Sequence, residues 1–191
     1  MIEPGLTSFA AIVLAGGRAT RLGGADKATI ELGGRSLLER ALDAVVDAAE
    51  VVVVGQQVPT ERPVTFVVED PQHGGPVAGL LTGRDSLFGR YPWLAVLAVD
   101  MPFLTATTVR RLHDAAVGHD GAVLVDPDLR RQLVFVVDTA RLSEVDPGLE
   151  ARHGRPVSML LDALDLVSVP ALGREHRDVD SWTDLRDLAE D

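Results

Sequence analysis

Between Leu14 and Lys27 the chain reads LAGGRATRLGGADK, so that Gly16, Gly17, Arg18, Arg21 and Lys27 follow directly on the apolar run Ala10–Leu14. Glycines just beyond a buried strand let backbone N–H groups approach an anion with no Cβ in the way. Three cations within ten residues then supply charge for phosphates, in a chain whose net charge is −11. The chemistry this points to is the holding of a nucleoside triphosphate. Two commoner phosphate sites do not fit: G-x-G-x-x-G is absent, and Lys27 is not placed as a P-loop lysine must be. An ordinary strand-to-helix turn would account for Gly16 and Gly17, but not for the spaced Arg21 and Lys27.

Two further segments carry chemistry. In Glu69-Asp70-Pro71-Gln72-His73-Gly74-Gly75-Pro76 the paired glycines again permit close backbone approach, and Pro76 suits the first turn of a helix. A helix N-terminus there favours an anion or the polar edge of a ligand. Asp70 could accept hydrogen bonds from a guanine N1–H and exocyclic amine, or from a ribose. In Leu97-Ala98-Val99-Asp100-Met101-Pro102-Phe103 an acid directly follows an apolar run. Magnesium takes one or two carboxylates and completes its shell with phosphate oxygens and water. A lone aspartate can also simply end a strand; beside a basic glycine-rich loop, the metal role is the better reading of Asp100.

These segments need a frame that brings them together. Phe9–Leu14, Val51–Val54, Val64–Val68, Trp93–Val99, Ala122–Val125, Leu133–Val137 and Leu166–Val169 read as strands, the β-branched runs among them as strands buried on both faces. Ser36 and Glu39 form a capping box ahead of Leu38, Ala41, Leu42, Val45 and Ala49 at helical spacing. Further helices are expected over Pro76–Phe88, Thr105–Val117 and Pro156–Leu164, with a turn at Pro127–Arg131. Ser181 and Asp184 box the start of a last helix reaching Ala189. Alternating strands and helices imply an open, mostly parallel sheet covered on both faces, with ligands outside the carboxyl ends of its strands. All three motifs fall at such ends.

The bulk numbers agree. The chain's 191 residues suit one domain with a developed core, and 46% apolar content with mean hydropathy +0.15 excludes disorder. No apolar stretch has the length of a membrane span, and Met1-Ile2-Glu3-Pro4 lacks the basic start of a signal peptide. The absence of cysteine excludes disulfides and thiolate metal sites, in keeping with a cytoplasmic protein. A pI near 4.8 argues against non-specific binding to nucleic acid or anionic membrane. His73, His113, His119, His153 and His176 are scattered without metal-ligand spacing.

The chain resembles the MobA-like family of nucleotidyltransferases, which includes the molybdenum cofactor guanylyltransferases. The matching signatures are L-A-G-G-x-x-x-R-L-G-G-x-D-K at 14–27, G-G-P-V-A-G at 74–79 and D-M-P-F at 100–103. The tail D-V-D-S-W-T-D-L at 178–185 is similar to the family's closing N-x-N-T-P-E-D-L. The resemblance implies one three-layer, Rossmann-like α/β domain over 1–191, with a nucleotide-binding half at about 8–104 and an acceptor-binding half at about 105–191. It implies transfer of GMP from GTP to Mo-molybdopterin with release of pyrophosphate. Nucleotide contacts are then expected at Leu14, Ala15, Gly16, Gly17, Lys27, Gly55, Asp70, Gly75 and Asp100. Arg21, Lys27 and Asp100 carry the chemistry, and Asp100 holds Mg²⁺, with Asp178 or Asp180 as a second ligand. Other proteins of molybdenum cofactor biosynthesis, or apo-molybdoenzymes, are the expected partners.

Two departures matter. Gly55-Gln56-Gln57 stands where this branch often carries asparagine, and Asp178 and Asp180 replace the late asparagines with a D-x-D form closer to sugar and cytidylyl transferases. A transferase using CTP or a sugar-phosphate acceptor is therefore the alternative, and a nucleotide-binding module without catalysis a second. Arg131 and Arg155 fit pterin or phosphate contacts and exposed surface equally well.

Overall fold

The computed structural model describes residues 8–16 and 26–190. Its first strand, β1 (Phe9–Leu14), is wholly buried. After a 3₁₀ turn at Lys27–Thr29 comes a two-residue hairpin, β2 (Glu31–Leu32) with β3 (Arg35–Ser36), which the sequence pattern did not suggest. Helix α1 (Leu37–Ala44) starts where expected, with the Ser36 hydroxyl accepting from the Glu39 amide at 3.1 Å. It ends sooner than the apolar periodicity implied: Val45 and Ala49 lie beyond it. The Glu39 carboxylate does not close the box; it accepts from the Glu61 amide instead.

Strand β4 (Glu50–Val54) is followed by β5 (Thr65–Val67), α2 (Pro76–Asp85), β6 (Trp93–Ala98) and α3 (Ala106–Ala116). Helix α2 stops at Asp85 rather than Phe88, because the Glu50 carboxylate takes the Phe88 and Gly89 amides at 2.8 and 3.0 Å into a separate loop. The second half holds β7 (Gly121–Val125), β8 (Arg131–Asp138), α4 (Thr139–Glu144), α5 (Val157–Leu161), β9 (Leu166–Pro170) and α6 (Trp182–Glu190). The turn ahead of β8 closes at Arg130, so Arg131 is a strand residue. Helix α4, one and a half turns capped by Asp138 on the amides of Ala140 and Arg141, is too short to leave a periodic signal.

The seven long strands form one sheet in the order β5-β4-β1-β6-β8-β7-β9. All run parallel except β8, which is antiparallel to both neighbours. Alternate residues of β1 feed two cores: Ala11 and Val13 pack with α1, α3 and α6, Ala10, Ile12 and Leu14 with α2 and α5. These are the three layers that the residue pattern implied. The two edge strands, β5 and β9, are only partly buried, so β5 departs from the burial on both faces expected of Val64–Val68.

The topology also locates a ligand crevice. From β1 the chain moves outward through β4 and β5, then crosses back to β6 on the other side of β1. In open α/β sheets the crevice lies outside the carboxyl ends of the strands where the order reverses. Here those ends are Leu14-Ala15-Gly16 and Val99-Asp100, laced together by the Val99 amide donating to the Leu14 carbonyl at 3.0 Å.

Candidate active site

Lys27 is fixed by a local device: Asp26 accepts from the Ala28 amide at 3.0 Å and so starts the 3₁₀ turn that carries Lys27. Its ammonium donates to Asp100 Oδ2 at 2.8 Å and to Asp180 Oδ1 at 2.7 Å. The lysine side chain is 17% exposed, Asp100 23% and Asp180 48%. A group at the start of the chain, one at the mid-sheet strand end and one near the C-terminus thus meet at one point. Burial pulls the Lys27 pKa down, but the hydrogen bonds it donates to Asp100 and Asp180, with their charges, more than offset it, and it lies above the usual 10.5. Lys27 is a permanent cation.

The closing segment is held there by its own residues. Val179 is fully buried, and its amide donates to the Asp100 carbonyl at 2.9 Å. Asp184 accepts from the amides of Asp180 and Ser181, and Ser181 Oγ accepts in return from the Asp184 amide at 3.2 Å, the box expected for α6. Asp178 is exposed as a residue, yet its carboxyl is crowded. That desolvation, and then the charges of Asp180 and Asp100, push its pKa up despite Lys27 nearby. Among the described residues, Asp100 and Asp180 pair with the one ammonium and Asp178 adds its charge nearby, so negative charge is in surplus there.

Around this charge cluster lies the glycine-lined crevice. The Ala15 amide donates to the Val54 carbonyl at 2.9 Å and the Gly55 amide to the Val67 carbonyl at 2.9 Å, so the strand ends are sewn side by side. A Cβ on Gly55 would stand 3.1 Å from that of Ala15, so any side chain there would push into the crevice mouth. Gly75, at φ 86° and ψ −173°, has a backbone that essentially only glycine adopts, and it opens α2 with no side-chain cap. Asp70 is exposed; its backbone is tied to Thr82 Oγ1, at 2.9 Å from its amide and 3.2 Å from its carbonyl. The structure brings Lys27, Asp100, Asp178 and Asp180 together, and Leu14, Ala15, Gly16 and Gly55 beside them; Asp70 and Gly75 lie on the adjoining loop. Gly17, Arg18 and Arg21 lie outside the described residues. Arg131 pairs with Asp162 at 2.8 Å, and the exposed Arg155 reaches Met159 Sδ at 3.5 Å.

A hollow of about 480 Å³ lies not here but at the opposite end of the sheet, by Arg84, Tyr91 and Thr139. Converging polar groups and topology locate this site, not concavity.

The sequence alone did not reveal the partner of Lys27 at 180 as distinct from 178, nor the buried charges that shape the second half. Arg152 is 6% exposed, flanked by Asp85 and Asp146, with no spacing to betray it.

Residues 11–166 match the model of the MobA-like NTP transferase domain. The chain belongs to that family. A probable molybdenum cofactor guanylyltransferase of Methanosarcina acetivorans is 36% identical over 186 residues, covering 88% of this chain and 81% of the relative. A molybdenum cofactor guanylyltransferase of Rhodopseudomonas palustris is 37% identical over 123 residues, which is 60% of this chain and 59% of that protein's length. Among solved structures, Rv0371c of Mycobacterium tuberculosis in complex with manganese superposes with TM-score 0.74 at 20% identity, covering 96% and 99% of the two chains. A 2-C-methyl-D-erythritol 4-phosphate cytidylyltransferase of Thermus thermophilus does so with TM-score 0.71 at 22% identity, covering 94% and 96%. As a MobA-like NTP transferase domain the chain is a nucleotidyltransferase, with the expected layered α/β architecture. Among the described residues no helix is long and apolar enough to cross a membrane.

Proposed function

We propose that this MobA-like domain transfers GMP from GTP to Mo-molybdopterin, releasing pyrophosphate, with the acceptor bound by the half from about residue 105 onward. The observation that carries the reading is the Lys27 ammonium held between Asp100 and Asp180 at the strand-order reversal. The curated relatives of similar sequence support guanylyl transfer. The cytidylyltransferase likeness is one of fold, and CTP use is kept as an outcome of the test.

The acceptor would be a phosphate monoester. With a second pKa of about 6 it is already an anion at neutral pH, so the reaction needs no general base. What opposes it is repulsion between that anion and the α-phosphate of a polyanion. The protein's part is to place both and to neutralise charge as it gathers on the departing pyrophosphate. Lys27 supplies a fixed cation, and Arg21 a second one. Gly16, Gly17, Gly55 and Gly75 admit the nucleotide's backbone contacts, Leu14 and Ala15 form the crevice floor, and Asp70 faces its base or ribose.

The donor set also fits a hard divalent cation. Two carboxylate oxygens, from Asp100 and Asp180, already converge within 2.8 Å of one cationic group. Magnesium takes one or two carboxylates and draws the rest of its shell from phosphate oxygens and water. Asp100 would hold it with Asp180 or Asp178. When bound, such an ion screens the phosphates and draws charge from the leaving group.

Thermal shift with GTP, CTP, UTP and ATP plus magnesium tests the nucleotide. Selective stabilisation by GTP supports the proposal, and stabilisation by CTP alone assigns the site to cytidylyl transfer. Pyrophosphate release with GTP and molybdopterin tests the reaction; binding without release with any acceptor would leave a nucleotide-binding module.

A further inference from the structure

A charge-balanced and largely buried cluster, with Asp85 at its exposed edge, joins the end of α2 to the second half of the chain, and the transfer chemistry does not use it. Arg152, its side chain 7% exposed, donates through Nη1 to Asp85 Oδ2 at 2.8 Å and through Nη2 to Asp146 Oδ2 at 2.7 Å. Arg84, 12% exposed, donates through Nη2 to Asp85 Oδ1 at 2.6 Å and Asp146 Oδ2 at 2.7 Å. Asp146 also accepts from the Gly148 amide at 2.9 Å. Burial pushes the Asp146 carboxyl up, but Arg152 and Arg84 outweigh it and hold the group at about 2.

The two ends of this cluster lie on different parts of the proposed site. Arg84 and Asp85 close α2, whose first residues follow the Gly74-Gly75 turn of the nucleotide loop. Arg152 begins the segment His153-Gly154-Arg155, and two residues later the Gly154 amide donates to the Gly74 carbonyl at 2.8 Å. Gly74 leaves no space for a side chain: a Cβ there would stand 2.5 Å from the Pro71 carbonyl oxygen and 2.6 Å from Ala78 Cβ. The segment is clamped at one end by two carboxylates and hydrogen-bonded at the other to this closely packed turn.

We propose that Arg152 is a positioning residue: through the Arg84–Asp85–Asp146 cluster it presses the 153–155 segment onto the nucleotide loop and so sets the distance between the acceptor-side Arg155 and the nucleotide. This rests on the reading of the site as one for nucleotidyl transfer. Asp146 and Arg152 touch neither reactant, so their effect is on placement. Nucleotide binding has independent anchors in the Thr82–Asp70 hydrogen bonds and the strand ends, whereas the acceptor-side segment meets the nucleotide loop through the Gly154–Gly74 hydrogen bond.

The test compares the parent chain with Asp146→Asn, nearly isosteric, and Arg152→Lys, which keeps the charge but loses the fork that serves two carboxylates. Hydrogen exchange on the full chain without substrates reads the coupling directly. Expected is lost protection in peptides covering 152–156 and, across the Gly154–Gly74 bond, in those covering 71–76. With GTP, magnesium and molybdopterin the acceptor KM should rise about tenfold, Arg152→Lys less than Asp146→Asn, while the GTP KM changes less than about twofold. Exchange confined to 146–152, or a lower Tm with both KM values unchanged, would make the cluster structural only and overturn the proposal. No transfer by the parent chain would contradict the transfer reading, and the exchange data would then decide the coupling by themselves.

Discussion

Two four-member charge clusters in this molecule have opposite bookkeeping. At the carboxyl ends of β1 and β6, Lys27 faces Asp100, Asp178 and Asp180, and the cluster is partly open and one-sided. At the far end of α2, Arg84 and Arg152 face Asp85 and Asp146, and the count is even. The even cluster pairs its charges internally, so whatever it does for the reaction it does through the fold. Among the described residues the uneven one carries more negative than positive charge, and burial, then the charges of Asp180 and Asp100, push the Asp178 carboxyl up. Surplus charge of that kind costs stability and would be relieved by a cation, as the proposed metal role of Asp100 requires.

The comparison breaks most sharply at Lys27. Lys27→Met should lower GTP-dependent pyrophosphate release by about 10²–10³-fold, the scale for losing one preorganised charge-stabilising group, with near-parental circular dichroism. Asp100→Asn should fall into the same range, and chelation with EDTA should abolish release in the parent; turnover that survives EDTA would contradict the cation's part.

The even cluster should respond in stability instead. Arg152→Met removes one partner of a buried pair and should cost about 3 kcal/mol or more, or about 6–12 °C in Tm for a chain of this size. Scanning calorimetry checks it, and a Tm within a degree of the parent would show that the cluster holds nothing. Acid provides a smaller probe. Because the folded Asp146 pKa is about 2, against an ordinary 3.8, its contribution is present in full above pH 4 and drains away as the pH falls toward 2. For a side chain 14% exposed this amounts to about 2 kcal/mol, seen as a smaller pH 4-to-2 stability loss in Asp146→Asn than in the parent.

The smallest effect sharpens the contrast. Asp178 is raised in the folded state, so above its folded pKa its charge opposes folding. Asp178→Asn should therefore gain about 1–2 °C in EDTA and gain less than the parent from added magnesium.

How much of this could be read from the residues follows from which forces are local. Strands such as Phe9–Leu14, and the boxes at Ser36 and Ser181, rest on patterns within a few residues, and so were visible. The gathering of Lys27, Asp100 and Asp180 spans 153 positions; only the order of the motifs at strand ends hinted at it, and the choice of Asp180 over Asp178 as Lys27's partner depends on how Val179 buries. Arg152 was invisible because a charged residue is ordinarily a surface residue, and nothing in E-A-R-H at 150–153 announces burial. Helix α4 and the β2–β3 hairpin are too short for periodicity to register. Strand β5 looked like any β-branched run because edge and centre differ only in what lies alongside.

The central claim is that the uneven cluster performs nucleotidyl transfer from GTP. It is tested most directly by measuring pyrophosphate release with magnesium, GTP and molybdopterin for the parent, Lys27→Met and Asp146→Asn side by side. The account predicts robust release by the parent, a loss of about 10²–10³-fold in Lys27→Met even at saturating acceptor, and recovery of Asp146→Asn toward the parental rate as acceptor is raised. Near-parental turnover in Lys27→Met would contradict it.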